Sequence, residues 1–92
     1  MKIIIKSSFK RDVQSHDNKE INSLINCKLQ EIEQASYIMK IAGIKKLKGY
    51  DSLYRIAIKK GKYNFRIGAK KENDTIILSC FLKREKFYNL FP

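Results

Sequence analysis

The sequence predicts an α+β fold in which a mostly antiparallel sheet of about four strands carries two N-terminal helices on one face. Apolar residues recur at helical spacing between Ile21 and Ile32, and from Leu53 onward they recur at every second position. Gly61, flanked by lysines inside this alternating region, predicts a hairpin turn. The chain of 92 residues is expected to form one domain, 1–92, with one modest core.

The N-terminal half is predicted to contain a short strand and two helices. KIIIKS (2–7) is typical of a β-branched, largely buried strand, and SFKRDVQS (8–15) of a short helix. Asp17, with a glutamate three residues later, predicts the N-cap of a longer helix that ends near Ser36. For residues 36–50 two alternatives stay open, a further helical turn or a packed loop.

The C-terminal half is predicted to contain three strands joined by tight turns. Alternation assigns an inward set to the first two strands: Tyr54, Ile56, Ile58, Tyr63, Phe65, Ile67 and Ala69. Arg55, Lys59 and Arg66 are expected on the opposite face, away from the helices. A turn at 71–74 leads to the strand 75–83, and the tail is expected to form one closing helical turn.

Positive charge is concentrated in the predicted hairpin. Residues 45–71 contain ten Lys or Arg and one acid, Asp51, which gives +9 of the total net charge of +11. Such a run often forms only a solvated face, but this local imbalance favours a polyanionic partner: nucleic acid, an acidic protein or, less readily, a membrane surface. No segment approaches the ~20 apolar residues of a membrane helix, so no membrane-spanning segment is expected and a membrane is not among the expected partners.

Neither a metal site nor a cofactor is expected. His16 is the only histidine and is predicted to lie at the surface in the turn between the helices, with neither cysteine near it in sequence. Cys27 and Cys80 are expected to be reduced packing residues, which favours a cytoplasmic location.

A further cluster of charge lies where the last strand meets the tail. Its members are Lys83, Arg84, Lys86 and Tyr88. Two interpretations are open: a strand end with charges that reach into solvent above an aromatic plug, or a functional cluster.

The run KKLKGYDSLYRIAIKKGKYNFRIG (45–68), followed by TIILSCFLKREKFYNLFP (75–92), resembles the RelE/ParE toxins of bacterial type II toxin–antitoxin pairs. Typical members read Lys-Leu-Lys-Gly-Tyr, then a Tyr-Arg-Ile strand, and close with an Arg before a C-terminal Tyr. The resemblance implies either a RelE-like, ribosome-dependent, metal-independent mRNA endonuclease or a ParE-like inhibitor of DNA gyrase. A catalytically attenuated homologue that acts as a binding module is a further alternative.

The resemblance also implies roles for individual residues. The implied catalytic residues are Arg55, Arg66, Lys83, Arg84 and Tyr88, and the implied RNA-binding residues are Lys45, Lys46, Lys48, Lys59, Lys60, Lys62 and Lys70. The arginines would stabilise the charge on the reacting phosphate, and Tyr88 or Lys83 would exchange protons. The implied partners are an acidic antitoxin, the ribosome and mRNA, or alternatively gyrase.

Three positions depart from the family pattern. Ala57 stands where many members have a second Lys or Arg, Asn64 replaces the usual Arg after Gly-x-Tyr, and Lys83 replaces the usual His. Arg66, two residues after Asn64 and therefore on the same face of its strand, is a candidate substitute for the missing arginine.

Overall fold

A computed structural model describes residues 1–92. In chain order the elements are β1 (Lys2–Ile5), α1 (Ser7–Ser15), α2 (Lys19–Gln34), a 3₁₀ turn (Ile38–Lys40), β2 (Ile44–Lys46), β3 (Leu53–Lys60), β4 (Tyr63–Glu72), β5 (Thr75–Lys83) and α3 (Arg84–Leu90). None of the helices is both long enough and apolar enough to span a membrane.

All strands join one five-stranded sheet in the order β1-β5-β4-β3-β2. β1 lies parallel to β5, and every other neighbouring pair is antiparallel. The predicted fold class is confirmed, although the sheet has one strand more than expected. The additional strand is β2, which pairs with β3 through Ile44 and Ile56. At three residues it is too short to show a periodicity, so only its pairing defines it.

The β3–β4 hairpin follows the predicted alternation. Its register pairs Lys60 with Tyr63, which leaves Gly61 and Lys62 as a two-residue loop. Gly61 has a φ of +57°, a left-handed conformation that glycine adopts without steric cost. One sheet face therefore carries the inward set, and Ile56, Ile67 and Ala69 on this face are fully buried.

The first face of the sheet packs against α1 and α2. Ile21, Ile25 and Ile32 form the buried stripe of α2, as the helical spacing predicts. Asn18, and not the predicted Asp17, is the N-cap, because its side-chain oxygen accepts from the backbone N–H groups of the second and third residues of α2 at 2.8 and 3.1 Å. The helix ends at Gln34, two residues before the expected position.

The second face of the sheet is partly covered by the C-terminal helix. α3, which is longer than the predicted single turn, packs against β4 and β5. Phe87 of α3 is fully buried, and Phe91 stacks on it at 5.1 Å between ring centroids. Gly68 makes room for this layer, because a Cβ there would lie 2.7 Å from both the Cys80 sulfur and the Phe91 ring.

The two cysteines differ in their surroundings. Both are free thiols; Cys80 is half-buried beneath the C-terminal segment, whereas Cys27 is exposed on α2. The expectation that both pack in the interior is therefore wrong for Cys27, whose helical position lies outside the buried isoleucine stripe.

Candidate functional site

Two arginines of the hairpin lie side by side on the second face. Arg55 pairs with Gly68, and Arg66 pairs with Ala57, so the two arginines are diagonal neighbours on adjacent strands. Such neighbours have Cα atoms about 7–8 Å apart, within reach of long side chains. α3 docks on the same face and adds Arg84 and Tyr88. We call these four residues the arginine–tyrosine cluster.

The pKa of Tyr88 depends on all three arginines of the cluster. Burial by itself raises the pKa of the Tyr88 phenol. The neighbouring Arg66 guanidinium lowers the pKa, and the positive charges of Arg55 and Arg84 lower it further. The net result is a pKa below the usual 10.0 for tyrosine. The Arg84 guanidinium also lies 5.9 Å from the centroid of the exposed Tyr88 ring, in cation–π geometry.

Arg66 is a buried cation without a carboxylate partner. Only 8% of the residue is exposed, whereas alternation alone predicts an open position on the outer face. Its Nη1 donates to the Asn64 side-chain oxygen at 2.8 Å and to the Phe65 carbonyl at 3.0 Å, and its buried Nε has no partner. An unpaired buried N–H is costly unless an acceptor arrives. The chain's ion pairs are Lys28–Glu31 and Lys70–Glu72, so no carboxylate of the chain neutralises any of the three cluster arginines.

Arg55 is held by a loop that α2 fixes. Its Nη1 donates to the Gly43 carbonyl at 2.9 Å, and the same carbonyl accepts from the Ala57 N–H at 3.0 Å. Gly43 has a φ of +79°, and a Cβ there would lie only 3.0 Å from the Ala57 carbonyl oxygen. Two side chains of α2 secure the residue before it: Glu31 accepts from the Ala42 N–H, and Lys28 donates to the Ala42 carbonyl at 2.9 Å.

We call the contacts of Lys28 and Glu31 with the Ala42 backbone the clamp, and these contacts stabilise the Glu31 carboxylate. Burial raises its pKa, but hydrogen bonds from Lys28 and from the Ala42 N–H, together with the charge of Lys28, lower the pKa to a net value below 4.5. Sequence reasoning did not find the clamp. The spacing of Lys28 and Glu31 as an i, i+3 pair was the only signal, and it does not reveal that the pair reaches across to the loop.

Lys83 does not join the arginine–tyrosine cluster. It pairs with Phe65, a residue of the first face, so its side chain leaves the sheet on the side of α1 and α2. There it borders a cavity of about 390 Å³ with His16. His16 is half-buried, with its ring edge-on to the buried Phe65 ring at 5.0 Å between centroids, so the expectation of a surface position is wrong.

The lysines predicted to bind RNA fall into two exposed groups and one paired residue. Lys45, Lys46 and Lys48 line a shallow cleft with Arg55 and Tyr88, so they border the cluster. Lys59, Lys60 and Lys62 lie at the tip of the β3–β4 hairpin. Lys70 forms an ion pair with Glu72 at 3.2 Å. No group of three or more His, Cys, Asp or Glu side chains comes together in the way that holds a metal ion.

The fold and the cluster define a small basic α+β protein with three arginines and a tyrosine gathered on the second face of its sheet. No family model matches the sequence. The chain is, however, 32% identical over 93 aligned residues, covering all of both proteins, to Toxin RelE3 of Methanocaldococcus jannaschii. The fold is similar to a chain in the crystal structure of the RelB–RelE antitoxin–toxin complex from Methanococcus jannaschii. That match has a TM-score of 0.73 and 30% identity, and covers 97% of this chain and 99% of the other. The protein therefore belongs to the RelE toxin superfamily, which confirms the resemblance.

Proposed function

We propose that this protein is the toxin of a type II toxin–antitoxin pair and that it cleaves messenger RNA on the ribosome. The observation that carries the proposal is that Arg55, Arg66 and Arg84, none of them paired with a carboxylate, lie close enough to Tyr88 to lower its pKa, with the Arg84 guanidinium 5.9 Å from the Tyr88 ring. A tyrosine with a lowered pKa among uncompensated cations is suited to proton transfer at a phosphate. The similarity to Toxin RelE3 supports the toxin assignment.

In the proposed reaction the side chains of this chain supply the charge stabilisation and the first proton transfer. The ribose 2′-oxygen loses its proton to the Tyr88 phenolate and attacks the phosphorus, the bond from phosphorus to the 5′-oxygen breaks, and the 5′-oxygen takes up a proton from water. The products are a 2′,3′-cyclic phosphate and a 5′-hydroxyl. Arg55, Arg66 and Arg84 stabilise the additional negative charge of the pentacoordinate phosphate, and each such contact contributes a rate factor of about 10²–10³.

Tyr88 is a better candidate than Lys83 for proton transfer. Tyr88 lies among the arginines that would bind the phosphate, whereas Lys83 leaves the opposite face of the sheet. The lowered pKa of Tyr88 increases the fraction of phenolate near neutral pH, and a phenolate accepts the 2′-hydroxyl proton. The chain supplies no second group of this kind in the cluster, so the ribosome is expected to assist by ordering the RNA.

The proposed protein partner is an antitoxin with an acidic segment. The similar structure is a complex of RelB with RelE, and residues 45–71 of this chain carry a net charge of +9. An acidic segment that covers this surface would neutralise the lysines around Arg55 and block access to Tyr88. Co-expression with an acidic protein encoded next to this one should yield a complex that dissociates more readily as salt concentration rises.

The test is cleavage of a translated message by wild type, Arg84→Ala and Tyr88→Phe at matched folded concentrations. We expect a reduction of about 10²–10³-fold for Arg84→Ala and about 10²–10⁴-fold for Tyr88→Phe. Matched controls are Arg11→Ala, an exposed arginine on α1, and Tyr37→Phe. Tyr37 is similarly exposed, and its ring lies 5.5 Å from the Lys40 ammonium in the same type of contact.

The outcome also separates the alternatives. Cleavage that survives in both cluster variants would place the active site elsewhere on the chain. Growth arrest with intact messages and stalled DNA supercoiling would assign the protein to the gyrase inhibitors, an alternative that the Ala57 and Asn64 departures leave open. Neither arrest nor cleavage would identify a binding module.

A further inference from the structure

A second polar cavity opens at the end of the sheet, on the face that carries α1 and α2. It has a volume of about 390 Å³, which is within the usual range for small-ligand sites of about 300–1,000 Å³. Six polar or aromatic residues at its wall are His16, Lys62, Tyr63, Asn64, Lys83 and Glu85. Aromatic rings stabilise its inner side, because His16 packs edge-on against Phe65, and Phe65 stacks on Phe81 at 4.5 Å.

The cavity is electropositive at neutral pH. Burial, then the charges of Lys83 and Lys86, lower the pKa of His16 below 6.5, while Asp12 of its own helix opposes them. The His16 imidazole is therefore neutral at pH 7 and offers one hydrogen-bond donor and one acceptor. Lys62 and Lys83 are exposed and have no ion-pair partner. Glu85 is the only acid at the wall, so the two lysines outnumber it.

The cavity adjoins the arginine–tyrosine cluster through two residues. Asn64 borders the cavity and also accepts the hydrogen bond from Arg66 Nη1 at 2.8 Å. Lys83 directly precedes Arg84, so the chain passes from the wall of the cavity into the cluster within one residue. The two sites lie on opposite faces of the sheet at this end, so a single strand would have to pass around the end of the sheet to reach both.

We propose that the cavity binds a nucleotide that flanks the cleaved bond. Its base packs beside His16 and Tyr63, and its phosphate binds Lys62 and Lys83. The combination of aromatic rings, a neutral imidazole and two unpaired ammonium groups suits an aromatic base with a phosphate attached. This inference rests on the proposed function, since it takes RNA to be the strand that reaches the arginine–tyrosine cluster. An acidic side chain of a protein partner would use the lysines but not the rings.

His16 provides the readout, because it is the only histidine of the chain. Its imidazole resonances are followed by NMR through a pH titration of the full protein, with and without a single-stranded 2′-O-methyl RNA, which cannot be cleaved. We expect RNA to raise the pKa of His16, since a phosphate nearby favours the protonated ring. Arg11→Ala should retain this response, because that exposed residue lies outside both the cavity and the arginine–tyrosine cluster.

A paired-lysine variant tests the proposed contacts. In Lys62→Ala/Lys83→Ala the RNA-induced change at His16 should disappear, and the slope of log affinity against log salt should fall by about 1.4, or 0.7 for each lost phosphate contact. The matched control is Lys2→Ala/Lys10→Ala, which removes the same charge from exposed positions outside the cavity. This control should retain the full response at His16.

The possible failures are distinguishable. Message cleavage with no RNA response at His16 would overturn the cavity proposal alone. An RNA response at His16 without message cleavage would support the cavity and overturn the nuclease. A response to an acidic peptide but not to RNA would assign the cavity to a protein partner and overturn the nucleotide proposal.

Discussion

Gly68→Ala should loosen the C-terminal helix from the sheet. The added Cβ would lie 2.7 Å from the Cys80 sulfur and 2.7 Å from two atoms of the Phe91 ring, closer than van der Waals contact allows. Overpacking of this kind costs about 1–3 kcal/mol. Gly68 lies inside β4 with an ordinary strand backbone, where alanine is favoured by about 0.5–1 kcal/mol. We therefore expect a net loss of about 1 kcal/mol, and at most about 2.5 kcal/mol, in the free energy of unfolding, measured in urea.

The same substitution should disturb the arginine–tyrosine cluster, because α3 carries Arg84 and Tyr88. A shift of about 1 Å at an active site can cost about 10²-fold in rate, so message cleavage should fall accordingly. The pKa of Tyr88, followed by NMR of labelled tyrosine, should rise toward its usual value as the arginines move away. This second measurement does not depend on the proposed activity.

Two further variants make the test of Gly68 specific. Gly61→Ala is a control that strains the backbone without a steric clash, since Gly61 has a φ of +57° and nothing lies within 4 Å of the added Cβ. It should lose about 1 kcal/mol through backbone strain and leave the pKa of Tyr88 unchanged. Adding Phe91→Ala to Gly68→Ala should relieve the steric clash. If Gly68→Ala proves as stable as wild type with an unchanged Tyr88, the reasoning about close packing is wrong.

Two further predictions concern the clamp and the cysteines. Glu31→Gln should lower stability at pH 7 by about 1 kcal/mol or less, because solvent screens this partly exposed pair. The pKa of Glu31 is lowered on folding, so its contribution is present above pH 4.5 and is lost as pH falls through the folded pKa. Urea unfolding at several pH values checks this, with Glu33→Gln as the control and a pH-independent difference as the contradicting result. A thiol reagent at neutral pH should modify exposed Cys27 but not Cys80, whose pKa burial raises to about 11. Equal labelling rates of the two cysteines in the folded protein would show that the C-terminal segment does not protect Cys80 from solvent.

Much of the fold was predictable from the sequence because its main elements are long and periodic. The stripe from Ile21 to Ile32 predicted α2, and the alternation from Leu53 to Lys70 predicted the β3–β4 hairpin and the face that each side chain occupies. β2 was not predictable, since a strand of three residues acquires its identity from the neighbour with which it pairs. The N-cap was misplaced by one residue, because Asp17 and Asn18 are equally suited to that role by type.

The candidate site was only partly predictable. The family resemblance selected Arg55, Arg66, Arg84 and Tyr88, and in the structure the three arginines lie close enough to Tyr88 to lower its pKa. Sequence also selected Lys83, but the pairing of Lys83 with Phe65 directs this side chain to the opposite face. Neither the Glu31 clamp nor the His16 cavity was apparent, because each joins residues that are distant in sequence.

By itself the sequence determined the elements with a repeating pattern and the large positive charge of the hairpin. In a helix or a strand, side chains face the core at a regular spacing along the sequence. This spacing can be recognised within one segment, without knowing where the rest of the chain lies. The tertiary structure decided which elements meet: that α3 covers Gly68, that Arg66 is buried without an acid, and that a glycine carbonyl holds Arg55. These contacts depend on the three-dimensional packing of distant segments, and no local pattern of residues encodes them.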